Sequence, residues 1–292
     1  MPSSPQRLTA READIGGGLK VHRLIPSRQR RLIGAWCFLD HAGPAVFETG
    51  GGMRVGPHPH IGLQTFTWML EGEVLHRDSL GNEQVIRPGQ VNLMTAGHGI
   101  SHTEESLPDQ ERLHAAQLWI ALPYDDRNVA PAFDHYPDLP QWTDQGATFT
   151  LLAGEMNGER APARIYSDLL GVDLASTDRV TLTLPLRTDW EYGFLPLQGG
   201  IEIDADPFGP NELAFLAPGT DQVTVTLAPG SRILLVGGAP FGHEIVMWWN
   251  FVGHSKEEVA DAQHAWEAES PRFGTVTGFD GPRLVAPPLA WR

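Results

Sequence analysis

The 292-residue chain reads as an all-β protein made of two antiparallel β-sandwich or barrel domains, with one helix near its C-terminal end. Three observations predict this. Short β-like runs recur at about 8–12-residue spacing between Gly, Pro and Asn turns. The gaps between those runs leave no room for the crossover helices that a parallel sheet requires. A stretch from about 123 to 146, with four prolines and many acids, interrupts the runs as an ordered linker would, and β patterning resumes beyond it. The domains are accordingly placed at 1–135 and 136–292.

Residues 1 to about 17 read as a polar arm ending in Gly16-Gly17-Gly18, which follows no strand and precedes no helix and so lacks the setting of a phosphate loop. Short β runs at 20–25 and 34–40 flank a basic turn with Arg28, Arg30 and Arg31, a solvated loop by default. Asp40 and His41 end the second run, where turn capping is their ordinary role. The densest β region follows at 64–70, 74–78, 83–86, 91–94 and 113–122. After the linker, β runs are predicted at 148–153, 163–168, 180–184, 190–197, 200–203, 212–216, 223–227 and 232–236. Ser255-Lys256-Glu257-Glu258 is a capping box, Val259, Ala262 and Trp266 follow at helical spacing, and Pro271 is the stop, so a helix is expected at about 255–268.

The two halves share a faint pattern. Gln64-Thr65-Phe66-Thr67-Trp68-Met69-Leu70-Glu71-Gly72 matches Glu191-Tyr192-Gly193-Phe194-Leu195-Pro196-Leu197-Gln198-Gly199 in its apolar run up to a turn glycine. Extending that register backwards places Pro185 and Arg187 where the first half has His58 and His60. A looser register, Ala96-Gly97 on Pro218-Gly219, places Thr224 and Thr226 at His102 and Glu104. Duplication on those registers leaves the second copy without metal ligands.

Composition narrows the function. With 41% hydrophobic and 20% charged residues the chain has the make-up of a soluble globular protein. A formal charge of −15 opposes phosphate backbones and anionic lipid, so neither nucleic acid nor membrane is an expected partner. The single cysteine, Cys37 between Trp36 and Phe38, permits no intramolecular disulfide and fits a buried apolar position in a reducing cytoplasm. No run resembles a signal peptide or reaches the roughly 18 apolar residues of a membrane span.

The chemistry concentrates between Gly56 and Glu104. Residues i and i+2 of a strand share a face, so His58 and His60 can converge on one point, as can His102 and Glu104. Each pair is hedged with glycines that permit close backbone approach. Three imidazoles and one carboxylate suit Fe(II), with Mn, Ni, Co, Cu or Zn as substitutes, and the absence of cysteine ligands argues against a closed structural zinc. Four protein ligands leave two octahedral positions open for dioxygen or a substrate oxygen.

Pro57-His58-Pro59-His60, Met94-Thr95-Ala96-Gly97-His98-Gly99-Ile100-Ser101-His102-Thr103-Glu104 and Leu113-His114-Ala115-Ala116-Gln117-Leu118-Trp119 together resemble the signature run of the pirin family. The likeness extends to Leu235-Val236-Gly237-Gly238-Ala239-Pro240 and to the late helix. It implies a bicupin, two cupin-like β-barrels (double-stranded β-helices), with iron in the first barrel held by His58, His60, His102 and Glu104. The chain departs from the common pattern at Ile61-Gly62-Leu63-Gln64, where the family often carries Arg-Gly-Phe-Glu, at His98, where it often carries arginine, and at Trp248-Trp249-Asn250-Phe251, where a Gly-Pro is expected. These departures suggest an altered surround of the metal at Ile61, Gln64 and His98 and altered packing between the domains.

Bacterial pirins resemble quercetin 2,3-dioxygenases, so the implied activity is cleavage of a flavonol with O2, with Glu104 as both ligand and the base that takes the 3-hydroxyl proton. The competing class is a non-enzymatic, iron-dependent redox-sensing regulator that binds a protein partner. His76 and His114 read as structural histidines or as partners of the ligands. Phe66, Trp68 and Trp119 read as core.

Overall fold

The computed structural model describes residues 4–14, 19–48, 51–108 and 110–291, so the Gly16-Gly17-Gly18 run lies outside the described residues. The described chain is almost wholly strand and turn, with one α-helix, and none of its helices is long and apolar enough to cross a membrane. It divides into two compact units that are not contiguous in sequence. One comprises Met1–Glu12, His22–His41 and Asp138–Phe241, and the other Ala13–Val21, Ala42–Pro137 and Gly242–Arg292.

Seven strands organise the unit that carries the histidine pairs: β1 (Arg54–His60), β2 (Leu63–Glu71), β3 (Val74–Asp78), β4 (Glu83–Ile86), β5 (Val91–Thr95), β6 (Ile100–Ser106) and β7 (Arg112–Ala121). One sheet runs β1-β6-β3-β4, and the other contains Ala132–Tyr136, β5, β2 and β7 in that order. Met69 and Ala115 of one sheet pack with Val74 and Ile86 of the other, which is the double-stranded architecture expected.

The other unit repeats the plan with β8 (Val180–Pro185), β9 (Glu191–Gln198), β10 (Ile201–Ile203), β11 (Asp206–Phe208), β12 (Glu212–Leu216), β13 (Gln222–Leu227) and β14 (Ser231–Gly238). Its sheets run β8-β13-β10-β11 and Gln6–Thr9, β12, β9, β14, Leu169–Ser176, Ala147–Ala153, Gln141–Asp144. Each of its seven strands therefore sits where the strand seven places earlier sits in the first barrel. A shared irregularity fixes the alignment. The β2/β7 register shifts between His114 and Ala115, opposite Glu71 and Met69, and the β9/β14 register shifts between Pro196 and Gln198. Met69 thus corresponds to Pro196 and Glu71 to Gln198, as the sequence repeat proposes.

The backward extension of that repeat does not hold. In β8/β13 Thr183 lies opposite Thr224, Thr181 opposite Thr226, and Pro185 opposite Gln222. These threonines occupy the outer face, where the Thr181 and Thr226 hydroxyls meet at 3.1 Å. Leu182, Leu184, Val223 and Val225 point instead into an apolar core with Phe149 and Phe194. The reason is local. In β1/β6, His58 pairs with His102 but Val55 with Glu104, so β1 carries one extra residue at Gly56-Pro57, whereas β8/β13 pairs without interruption. One extra residue flips every side chain to the opposite face. Where the first barrel turns histidines inward, the second turns leucine and valine.

Several expectations need correction. The polar arm contains the strand Gln6–Thr9, paired along β12 with Leu8 buried. The linker holds two edge strands, Ala132–Tyr136 on β5 and Gln141–Asp144 on Ala147–Ala153. The run predicted at 163–168 is irregular and the strand falls later, at Leu169–Ser176. Asp40 and His41 lie inside the strand Trp36–Val46 rather than capping a turn. The Asp40 carboxylate is buried and accepts from Arg23 Nε and Nη2 at 2.7 and 2.6 Å, and the His41 Nδ1 is 3.1 Å from Asn211 Oδ1. Cys37 is buried as expected, and burial pushes its thiol far up, which leaves it inert.

The helix α1 (Lys256–Glu267) follows its sequence signals. Ser255 is the N-cap and its hydroxyl accepts from the Glu258 backbone N–H at 3.2 Å, while the Glu258 carboxylate accepts from the His254 N–H at 2.6 Å. Val259, Ala262 and Trp266 pack with Ile61, Phe251 and Phe273, so the helix belongs to the unit that holds the histidines.

Leu8, 1% exposed, tests the reassignment of the N-terminal arm. Leu8→Ala is expected to lower stability by about 2–5 kcal/mol, the range for emptying a buried leucine site. Thr9→Ala, at the strand's exposed end, should shift the denaturant midpoint negligibly, and equal small effects of both would restore the polar-arm reading.

Candidate metal centre

β1 and β6 bring His58, His60 and His102 together through their antiparallel register. His58 lies directly opposite His102, and His60 opposite Ile100. The three imidazoles of His58, His60 and His102 are all buried, and their candidate ligand nitrogens lie within 4.8 Å of one another. The His60 and His102 Nε2 atoms are 3.1 Å apart.

Hydrogen bonds on the far side of each ring decide which nitrogen faces inward. His58 Nδ1 lies 2.9 Å from the Gly56 carbonyl and His60 Nδ1 2.9 Å from the Asn250 carbonyl. A carbonyl only accepts, so both Nδ1 atoms carry the hydrogen and both Nε2 atoms present a lone pair. His102 Nδ1 is 3.3 Å from His76 Nδ1, and His76 Nε2 is 3.1 Å from Asp78 Oδ2. With one hydrogen on each ring, His76 donates to Asp78 and accepts from His102, which again leaves the His102 Nε2 lone pair facing the cluster. Asp78 is itself fixed by the backbone N–H groups of Leu80 at 2.9 Å and Asn82 at 3.1 Å and by the Asn82 amide at 2.9 Å. Burial alone would raise the Asp78 carboxyl, but the bonds from His76 and Asn82 hold it below its ordinary value.

The electrostatics agree with the geometry. Burial presses His58 down from 6.5 to about 4, opposed by the Gly56 carbonyl and reinforced by His76. Burial also holds His60 and His102 well below the ordinary value, with the neighbouring histidines adding to the effect. All three rings are therefore neutral near pH 7, the form that ligates a metal. Two inward lone pairs 3.1 Å apart repel each other unless a cation sits between them. Metal–nitrogen bonds of about 2.1 Å at right angles place their nitrogens about 3 Å apart. The donor set fits a metal ion.

Glu104, two residues beyond His102 and past the β1/β6 irregularity, lies partly buried near the end of β6. Burial raises its carboxyl from 4.5 to about 7. The close grouping of the three histidines does not include it.

The positions where the sequence departs from its pattern differ in what they contact. His98 is exposed, and its carbonyl accepts from Arg272 Nε at 2.7 Å. Ile61 is buried against Phe251 and the helix. The Gln64 amide donates to the Thr95 hydroxyl at 2.9 Å. The Trp248–Phe251 segment serves the centre directly, since the Asn250 carbonyl orients His60. Gly62 is required by this arrangement: its φ is +65°, and a Cβ there would meet the Val252 carbonyl oxygen at 2.0 Å. His76 stands behind His102 as a partner of the ligand, and its ring stacks on Phe133 at 4.3 Å. Trp119 meets the His60 ring edge-on at 5.2 Å, so it borders the centre as well as filling core. Sequence reading missed Asn250, Asp78, Asn82 and Phe133. Asp78-Ser79-Leu80-Gly81-Asn82 carried a usable signal, an acid two residues from a histidine in a tight turn.

Three outcomes are expected. His58→Ala and His102→Ala should each abolish stoichiometric metal, read by elemental analysis, while His76→Ala should keep the metal but weaken it by about 10–100-fold. In the metal-free protein, a histidine held low in the folded state makes the unfolded state bind more protons below pH 6.5. Stability should be full above about 6.5 and fall as the pH drops toward 4, and His58→Gln should reduce that fall in urea titrations.

The Pirin family model matches residues 18–120, and the Pirin C-terminal cupin domain model matches residues 171–274. A Pseudomonas aeruginosa protein named "Putative quercetin 2,3-dioxygenase" is 68% identical over 287 residues, spanning 98% of this chain and 91% of that protein. A "Pirin-like protein" of Caulobacter vibrioides is 37% identical over 267 residues, spanning 89% of this chain and 91% of that protein. Among solved structures, a quercetin 2,3-dioxygenase from Acinetobacter baumannii superposes with a TM-score of 0.97 at 47% identity, covering 99% of this chain and 97% of that one. On the histidine-bearing barrel, the second barrel that repeats its strand order and these likenesses, the chain belongs to the pirin family.

Proposed function

We propose that the chain is a mononuclear iron dioxygenase that cleaves a flavonol with O2. The observation that carries the proposal is the convergence of three neutral, buried Nε2 lone pairs from His58, His60 and His102. The relatives named as quercetin 2,3-dioxygenases supply the reaction class. His58, His60, His102 and the Glu104 carboxylate would hold Fe(II), which would supply Lewis acidity and redox chemistry for cleavage of the flavonol by O2 with release of carbon monoxide.

The chain's own residues do the rest. The bonds from Nδ1 of His58, His60 and His102 fix the tautomer and angle of each ligand before anything binds. Burial raises the Glu104 carboxyl of the metal-free protein to about 7, and as the acid of the constellation Glu104 is assigned the flavonol 3-hydroxyl proton. The indole of Trp119 packs edge-on against the His60 ring at 5.2 Å.

Anaerobic addition of quercetin to the Fe(II)-loaded protein followed by oxygen should give flavonol consumption with carbon monoxide. Glu104→Gln should retain most of the iron and lose at least 100-fold in turnover. Full activity in that variant removes Glu104 as the base. No turnover by iron-loaded wild type across a flavonol panel overturns the enzyme reading and leaves the iron-dependent regulator with a protein partner.

A further inference from the structure

The turn that brings the Asn250 carbonyl to His60 is built from the wrong residue for its backbone. Two short strands, Val246–Trp248 and Phe251–Gly253, pair with Trp248 opposite Phe251, so Trp249 and Asn250 alone reverse the chain. Two-residue turns of this kind call for positive φ and are usually filled by Gly, Asn or Asp. Here the residue with positive φ is Trp249, at +51°, while Asn250, to which that conformation comes easily, stands one place later without it. A bulky side chain in the left-handed region is a true outlier, and such outliers persist only where their surroundings enforce them.

The surroundings of Trp249 lead back to the metal centre. Its indole is partly buried on the cluster of Ile61, Phe251 and the helix, and it meets the Phe251 ring edge-on at 5.6 Å. Phe251 is fully buried and bridges Ile61, the residue that follows His60, and Val252 donates its N–H to the Ile61 carbonyl at 3.2 Å. The ring of Trp249 thus rests on the segment tied to His60, while the carbonyl one residue on lies 2.9 Å from His60 Nδ1. Anchorage of the hairpin to the helix falls to its neighbour: the Trp248 indole donates to Gln263 Oε1 at 3.0 Å and meets Trp291 edge-on at 5.5 Å. A turn needed only to reverse the chain would be served without strain by Gly or Asn at 249.

We infer that Trp249 is a positioning residue of the metal centre: its indole, seated on Phe251, holds the turn in the left-handed conformation that presents the Asn250 carbonyl to His60 Nδ1. The ring acts through His60, by keeping the hydrogen on Nδ1 and the Nε2 lone pair on the metal side. The inference rests on the histidine cluster holding a metal and is independent of the reaction performed there.

Three variants of the full chain separate the ring from the backbone. Trp249→Asn and Trp249→Gly remove the ring and accept the left-handed conformation readily, whereas Trp249→Phe keeps a ring and the strain. In metal-free protein, histidine 15N NMR should show His60 losing its single Nδ1–H tautomer in the Asn and Gly variants. His58, whose Nδ1 is held by the Gly56 carbonyl, should keep its own in all three and serves as the control for folding. Anaerobic competition with a chelator should show Fe(II) held about 10–100-fold more weakly by the Asn and Gly variants and within about twofold of wild type by Trp249→Phe. Wild-type Fe(II) affinity and an intact His60 tautomer in the Asn or Gly variant would overturn the inference, because the backbone then suffices without the indole. Equal weakening in Trp249→Phe, loss of the His58 signal together with that of His60, or failure of the Asn and Gly variants to fold would overturn it too, making Trp249 a residue of the general fold.

Discussion

One cross-strand pair governs the molecule's chemistry. His58 stands opposite His102 because β1 and β6 meet in a single register, and His60 joins them because it shares the face of His58. A slip of one residue would turn all three imidazoles away from the centre. The register is held by its surroundings: Ser101 donates from its hydroxyl to the Phe273 carbonyl at 2.9 Å, and Val252 donates its backbone N–H to the Ile61 carbonyl at 3.2 Å. Backbone carbonyls and a histidine–carboxylate pair then aim the rings from behind. The centre is thus preorganised by groups that never touch the ion, and each acts by settling which nitrogen holds a hydrogen.

The duplicate barrel shows what the register alone produces without those additions. Strand order and the irregularity in the larger sheet are common to both. The extra residue at Gly56-Pro57 is confined to the first barrel, and it separates an inner face bearing histidine from one bearing leucine and valine. Divergence of the two copies can therefore be described by one inserted residue in one strand and the side chains it redirects.

The histidine cluster was legible because a strand's two-residue period turns spacing into geometry, and so were β2, β3, β4 and the capped helix, where turn and cap residues stand at fixed offsets. Sequence proximity misled at His98 and Ile61. Both flank ligands in the chain, yet one faces solvent and the other packs beneath the helix. The Asn250 contribution was hidden because it is made by a backbone carbonyl 190 residues from His60, and any residue type supplies such a group. The first strand was hidden because Gln6–Thr9 has one apolar residue, too few to display an alternation, and owes its conformation to pairing with β12.

The interleaving of the units has a bearing on how the protein comes to exist. The barrel holding β1 to β7 needs Gly242–Arg292, and the barrel holding β8 to β14 needs Met1–Glu12. A chain emerging from the ribosome completes β6 long before the carbonyl that orients His60 has been made, so early metal would meet two oriented histidines and one loose one. A chain cut ahead of Asn250 would thus keep all three histidines while losing the carbonyl that orients His60.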